Sequence, residues 1–222
     1  MPTTKEFVVI GLGRFGGSLA STLYSMGYGV MGIDADEETV NRCKESCTHV
    51  VQADATDEAT LRSLGVTNFD VAVVSIGHDM QASILVTLSL KELGVPMVIA
   101  KASSEIHGKV LKRIGADQVV FPERDMGVRL ANRLAVDNVV DYLEITPEVS
   151  IVEINATKDM VGKTLRQLDI RANRGINIVA IRRANHEVLV PPGPDEPLQS
   201  GDILVALGSN ENVRRWQNGD DR

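Results

Sequence analysis

Gly11-Leu12-Gly13-Arg14-Phe15-Gly16 follows the apolar run Phe7-Val8-Val9-Ile10 and opens an amphipathic stretch, an order suited to holding phosphate on main-chain N–H groups. Gly11 permits a tight turn out of a strand. Gly13 lets the backbone approach a pyrophosphate with no Cβ in the way, and Gly16 lets helix and strand pack closely. The helix that starts there presents unpaired N–H groups and the positive end of its dipole to an anion, with Phe15 in its first turn. Alone such a glycine motif is weak. Asp34 ends the next apolar run, about 20 residues on, where a carboxylate accepts both ribose hydroxyls and disfavours a 2′-phosphate.

Other residues with chemical potential fall at the ends of later apolar runs. Arg14 adds a cation where two phosphates are already served, which points to a third, although a solvent-facing arginine is the plainer alternative. Asp54-Ala55-Thr56 follows the third run, where an adenine edge is commonly held, and Ser75-Ile76-Gly77 follows the fourth, across the same crevice. Lys101 closes the fifth, so its ammonium can reach the same phosphates, with an ordinary surface lysine as the alternative. Ligands bind at these carboxyl ends in open parallel sheets. Glu123, after Pro122, starts a helix; the dipole favours an acid there whatever the function, and a carboxylate is also a hard ligand for a divalent cation. His78, His107 and His186 are scattered and read as surface residues. Cys43 and Cys47, four apart on an expected helix near His49, read as reduced, partly buried thiols rather than a metal site.

Positioning these residues requires alternating strands and helices. β-Branched runs at 7–10, 30–33, 49–52, 71–75, 97–101 and 118–121 alternate with helical periodicity at 15–26, 37–45, 57–64, 80–93, 104–114 and 123–135. That is the pattern of βαβ units, so the expected fold class is α/β: a Rossmann doubly wound parallel sheet. Gly27, Gly65, Gly94 and Gly115 stand where helices should end, and Asp57 and Ser104 lie in segments resembling N-caps. Past Ala135 the character changes to a strand broken by a proline turn at Pro147, which places a domain boundary at 137/138. Residues 138–222 read as a small α+β module, with strands at 150–156, 176–182, 187–190 and 202–207 and short helices at 164–168 and 210–216. A module of this size has a marginal core, which favours oligomerisation.

Composition narrows the function. The net charge of −7 repels nucleic-acid phosphates and anionic lipid. No apolar run approaches the roughly 18 to 20 residues of a membrane span, and no signal-peptide pattern opens the chain, so a cytoplasmic protein is expected. The glycine fingerprint also fits NAD or NADH, and an NAD-dependent oxidoreductase is the alternative. A dehydrogenase, however, needs a substrate domain with a positioned acid or base, and the short second module has no evident acid–base pair.

Taken together, the loop 11–18, Asp34, Asp54-Ala55-Thr56, Ser75-Ile76-Gly77, Lys101-Ala102 and the segment from Ile114-Gly115-Ala116-Asp117 through Pro122-Glu123-Arg124-Asp125-Met126-Gly127 resemble the RCK (KTN or TrkA-N) domain of Ktr-type potassium-uptake regulators. The remainder resembles the RCK-C (TrkA-C) domain through Leu168-Asp169-Ile170-Arg171 and Gly175-Ile176-Asn177-Ile178. The resemblance implies a non-enzymatic cytosolic subunit that forms an octameric ring, docks on a membrane potassium-translocating subunit and switches between ATP-bound and ADP-bound shapes. It further implies Arg14 at the terminal phosphate, of its own or an adjoining subunit's nucleotide, and a cation at Glu123 between facing nucleotides. A cyclic di-AMP pocket at a C-terminal dimer interface, with Ile170, Arg171, Asn177 and Ile178, is implied as well. Asp54 stands where some relatives carry Asn, which bears on base contacts.

Overall fold

Six short β-branched runs become the strands of one parallel sheet in a computed structural model, which describes residues 5–134 and 139–217. In chain order they are β1 (Glu6–Ile10), α1 (Arg14–Ser25), β2 (Gly29–Asp34), α2 (Glu37–Cys43), β3 (His49–Gln52), α3 (Glu58–Ser63), β4 (Val71–Val74), α4 (Met80–Glu92), β5 (Met97–Lys101), α5 (Glu105–Arg113), β6 (Gln118–Val120) and α6 (Pro122–Leu134). The strand order is β3-β2-β1-β4-β5-β6. The chain thus winds outward from β1 in one direction and from β4 in the other, and their carboxyl ends flank the point where the winding reverses. Phe7 pairs with both Val30 and Val71, so β1 lies at the centre.

Burial follows the two-residue period of a strand. Val8 and Ile10 pack into one apolar layer with Ile33, Ala72, Val74 and Leu90, whereas Val9 packs into the opposite layer with Leu12, Val30 and Val73. Each fully buried aliphatic side chain stabilises by about 1.5 to 3 kcal/mol. The helices begin on the expected signals: Asp57 and Ser104 accept N–H bonds from Ala59 and His107, and the four glycines expected to end helices take left-handed φ. The cysteines require a correction of detail. α2 stops at Cys43, and Cys47 follows a 3-10 turn in extended backbone. Both are free and buried, and burial pushes the Cys47 thiol up to about 11.

The chain divides into two compact units, residues 1–124 and 125–222. The boundary expected at 137/138 lies outside the described residues. In the second unit β7 (Val139–Thr146) and β8 (Val149–Asn155) form a hairpin around Pro147, where Thr146 Oγ1 accepts the N–H groups of Glu148 and Val149. There follow α7 (Leu165–Leu168), α8 (Ile170–Arg174), β9 (Asn177–Arg182), β10 (Val188–Leu189), β11 (Ile203–Ser209) and α9 (Asn210–Gln217). The sheet is antiparallel, in the order β10-β9-β11-β8-β7. Its core gathers Val152, Ile154, Ile176, Ile181, Leu198, Leu204 and Trp216. Beside this core lies the buried Arg183 guanidinium, which donates to the carboxylates of Asp202 and Glu196 and, at 3.1 Å, to the carbonyl of Pro197. α8, five residues long, is not among the helices expected from the sequence.

Candidate functional site

The loop between β1 and α1 has the backbone its glycines suggested. Gly11 sits at φ +88°, and a Cβ there would lie 3.0 Å from the main chain of Ser75. Its N–H donates to the carbonyl of Ile33 at 2.8 Å, which ties the loop to β2. At Gly16 a Cβ would come within 1.9 Å of the Gly11 carbonyl oxygen, so only glycine lets α1 start against the loop. Gly13 differs: nothing lies within 4 Å of where its Cβ would point. It is the N-cap of α1 and supplies no capping side chain, and no acidic residue occupies the first turn. The first N–H groups of α1 therefore face an open cleft without a side-chain acceptor, the arrangement that binds anions.

Asp34 ends β2 beside this loop. Its Oδ2 accepts the Leu12 N–H at 2.6 Å and its Oδ1 the Asp36 N–H at 3.0 Å, so the carboxylate is fixed in direction while keeping lone pairs for a diol. After β3, Asp54 Oδ1 accepts both the N–H and the hydroxyl of Thr56, at 2.9 and 2.7 Å, and these bonds hold its carboxyl below the usual range. Asp54 is accordingly an acceptor at neutral pH, suited to an exocyclic amino group.

These groups line one cleft of about 1130 Å³, slightly above the usual size of a small-molecule site and roomy enough for an extended ligand. Gly11, Gly13, Arg14 and Phe15 form one wall, Asp34 and Asp54-Ala55-Thr56 a second, and Ile76, Gly77, Lys101 and Glu123 a third. Gly16 lies behind the lining and acts through packing alone. Lys101 Nζ donates to Glu123 Oε1 at 2.5 Å and stands 5.9 Å from the centre of the Phe15 ring. Lys101, with a smaller contribution from Arg14, holds the Glu123 carboxyl below its ordinary range. No group of three or more His, Cys, Asp or Glu side chains capable of holding a metal occurs among the described residues. A cation at Glu123 would therefore draw further oxygen ligands from outside such a cluster, phosphate and water among them.

The cleft also contains residues that the sequence reading passed over. Asp36 and Asp79 line it while capping α2 and α4, each accepting an N–H at 2.9 Å from Thr39 and Ala82. Their cap positions were a readable signal. His78 is exposed, as expected, yet it lies on the rim. His107 corrects the surface reading: it is fully buried, its Nδ1 accepts the Ser103 N–H at 3.3 Å, and its Nε2 has no partner among the described residues. Burial lowers its pKa from the ordinary histidine value.

In the second unit the four residues implied for cyclic di-AMP divide. Arg171 on α8 and Asn177 at the start of β9 are exposed. Ile178 is half-buried against the core, and Ile170 is 4% exposed within it. α8 turns the Ile170 side chain into the apolar interior, whereas Arg171 and Asn177 face outward.

The TrkA-N domain model matches residues 7–122 and the TrkA-C domain model residues 149–218. The chain is 50% identical to Ktr system potassium uptake protein C of Bacillus subtilis (strain 168), with 96% of each chain covered. It is 43% identical to Ktr system potassium uptake protein A of the same organism, again over 96% of each, and 32% identical to that protein of Vibrio alginolyticus, over 94% of each. Among solved structures, the GsuK channel bound to NAD superposes with a TM-score of 0.70 at 20% identity, which speaks to the fold alone. All of this chain is covered there, but it spans only 40% of the channel's length.

Proposed function

This chain belongs to the TrkA-N and TrkA-C domain family, which includes the Ktr potassium uptake proteins, and from that premise we propose that it is a non-enzymatic regulatory subunit whose first unit binds ATP or ADP and thereby gates a membrane potassium-translocating partner. The observation that carries the reading is the cleft itself: a fixed ribose acceptor at Asp34, an uncapped helix end at Gly13, and two cations, Arg14 and Lys101, beyond it. Gly13 and the α1 N–H groups serve phosphates common to both nucleotides. Arg14 serves the terminal phosphate of ATP, in its own cleft or in that of an adjoining copy. A charge-assisted bond made to one ligand only contributes about 1.5 to 3 kcal/mol, a preference of roughly ten- to a hundredfold. To gate the partner, the Arg14 bond must also be stronger in one state of the assembly than in the other, because a ligand that binds both states equally shifts neither.

The lining also bears on a cation. Asp34, Asp36, Asp54, Asp79 and Glu123 outnumber Arg14 and Lys101, so a triphosphate entering here brings its charge into a carboxylate-rich cleft. A divalent or monovalent cation shared by Glu123 and the phosphates offsets that repulsion. The assembly proposed is an octameric ring on the inner face of the membrane, to be weighed by light scattering. The deciding experiment is titration of the purified protein with ATP, ADP and NADH, alongside potassium flux with the membrane partner. Arg14→Ala should weaken ATP much more than ADP and uncouple ATP from flux. Equal losses for both nucleotides would make Arg14 a general phosphate contact, and Asp34-dependent NADH oxidation would favour the oxidoreductase alternative.

Cyclic di-AMP is a second reading for the second unit, and it rests on the exposed pair Arg171 and Asn177. Binding of that dinucleotide unaffected by Arg171→Ala would remove it.

A further inference from the structure

Lys101 and Glu123 form an ion pair whose two members are in very different surroundings. The Lys101 side chain is 12% exposed and that of Glu123 68%. Lys101 runs beneath the α1 loop, with its ammonium facing the Phe15 ring. A Cβ on Gly77 would stand only 3.1 Å from Nζ, so the absence of a side chain at Gly77 leaves the space the ammonium occupies. An ammonium so enclosed has lost most of its water, and leaving it without an anion is costly. Glu123, by contrast, can swing into solvent and be hydrated at little cost.

We propose that Glu123 is an internal stand-in for the ligand: it occupies Lys101 while the cleft lacks phosphate, and an incoming phosphate displaces it. This deepens the reading of the cleft as a nucleotide site and rests on it. The asymmetry of exposure sets the direction of the exchange. Lys101 keeps an anionic partner throughout, first carboxylate and then phosphate, whereas Glu123 is released from it, to solvent or to a cation that arrives with the phosphates. Arg14 also feels the Glu123 charge, so the same carboxylate weakens the draw of both cleft cations on a phosphate until it leaves. Its release takes place on the second residue of α6, just before the chain passes from the first unit to the second between Arg124 and Asp125. Phosphate binding is thereby coupled to the loss of one of the anchors at the start of that helix. Another is the Arg124–Glu105 pair at 2.6 Å.

The exchange makes Glu123 a competitor, which reverses the usual expectation for a residue lining a binding cleft. The test is calorimetric titration of the full chain with ATP in excess EDTA, with adenosine as the phosphate-free control. Glu123→Gln should tighten ATP by about two- to fivefold, the scale of an ion pair whose carboxylate is largely exposed, and leave adenosine unchanged. In a Lys101→Gln background the same substitution should give no tightening, because the contested ammonium is gone. If the wild type binds ATP while Glu123→Gln binds it equally or more weakly in EDTA, the exchange is refuted and the nucleotide site stands. If the wild type binds neither ATP nor ADP, both fall together.

Discussion

The two units of this chain solve the problem of burying a sheet in opposite ways. In the first, β1 and β4 are covered on both faces, and Val8, Val9, Ile10, Ala72 and Val74 are sealed among aliphatic side chains. In the second, an antiparallel sheet closes over a smaller apolar cluster, and Arg183, Asp202 and Glu196 are set beside it as an ionic group. The first therefore tolerates no added volume at Gly11 and Gly16, where the loop packs on the main chain, whereas the second tolerates no lost charge at Arg183. The charged groups of the first unit's cleft lie at or just after the strand ends, where they are open to a ligand. In the second, buried charge is consumed internally.

The largest effect expected from breaking this contrast lies in the second unit. Arg183→Leu strands the Asp202 carboxylate, which is 1% exposed, and should destabilise that unit by about 3 to 5 kcal/mol. Trp216, the only tryptophan in the chain and part of that core, makes its fluorescence a selective probe during urea unfolding. Nucleotide binding by the first unit should survive. Gly16→Ala is the counterpart: its Cβ would overlap the Gly11 carbonyl, destabilising the first unit by about 3 kcal/mol and abolishing ATP binding while the Trp216 transition stays in place. Retained ATP affinity in that variant would show that the loop opens more readily than its packing suggests.

A smaller effect sharpens the comparison through pH. His107 is buried in the first unit and its pKa is lowered below 6.5 by desolvation, so the unfolded chain takes up a proton that the folded one refuses. Its contribution is constant above 6.5, and stability falls as pH drops from there toward the depressed folded value, by no more than about 1.4 kcal/mol per pH unit. His107→Leu should flatten that slope in thermal unfolding of the first unit and leave the second unchanged. The smallest effect is that of Gly77→Ala, where the new methyl meets the movable end of Lys101. ATP affinity should change by less than about threefold, and a larger loss in titration would mean that Lys101 has no alternative path.

Much of the first unit was legible in the sequence because its signals are local. Strand runs, glycine helix ends, the glycine loop and Asp34 each declare themselves within a few residues. Pairings that arise only when strands come together were not. Leu12 meets Asp34 because β1 and β2 are neighbours, and Lys101 meets Glu123 because α6 starts where β6 ends beside β5. On α5 the polarity pattern itself misleads, since Ile106 is 72% exposed while the adjacent His107 is fully buried. α8, at five residues, is too short to show a helical period, so the burial of Ile170 in the core was not legible there. Arg183 gave no local sign that a charge would be buried.

The tethering of Asp34 by two main-chain N–H groups has a kinetic consequence. Its side chain surrenders its rotamer freedom during folding, so the ribose end of a ligand meets a surface already in its final shape. The Lys101 end must change partners before a phosphate can settle. Rapid mixing should therefore resolve a fast second-order phase shared by adenosine and ATP, followed by a concentration-independent phase seen with ATP alone.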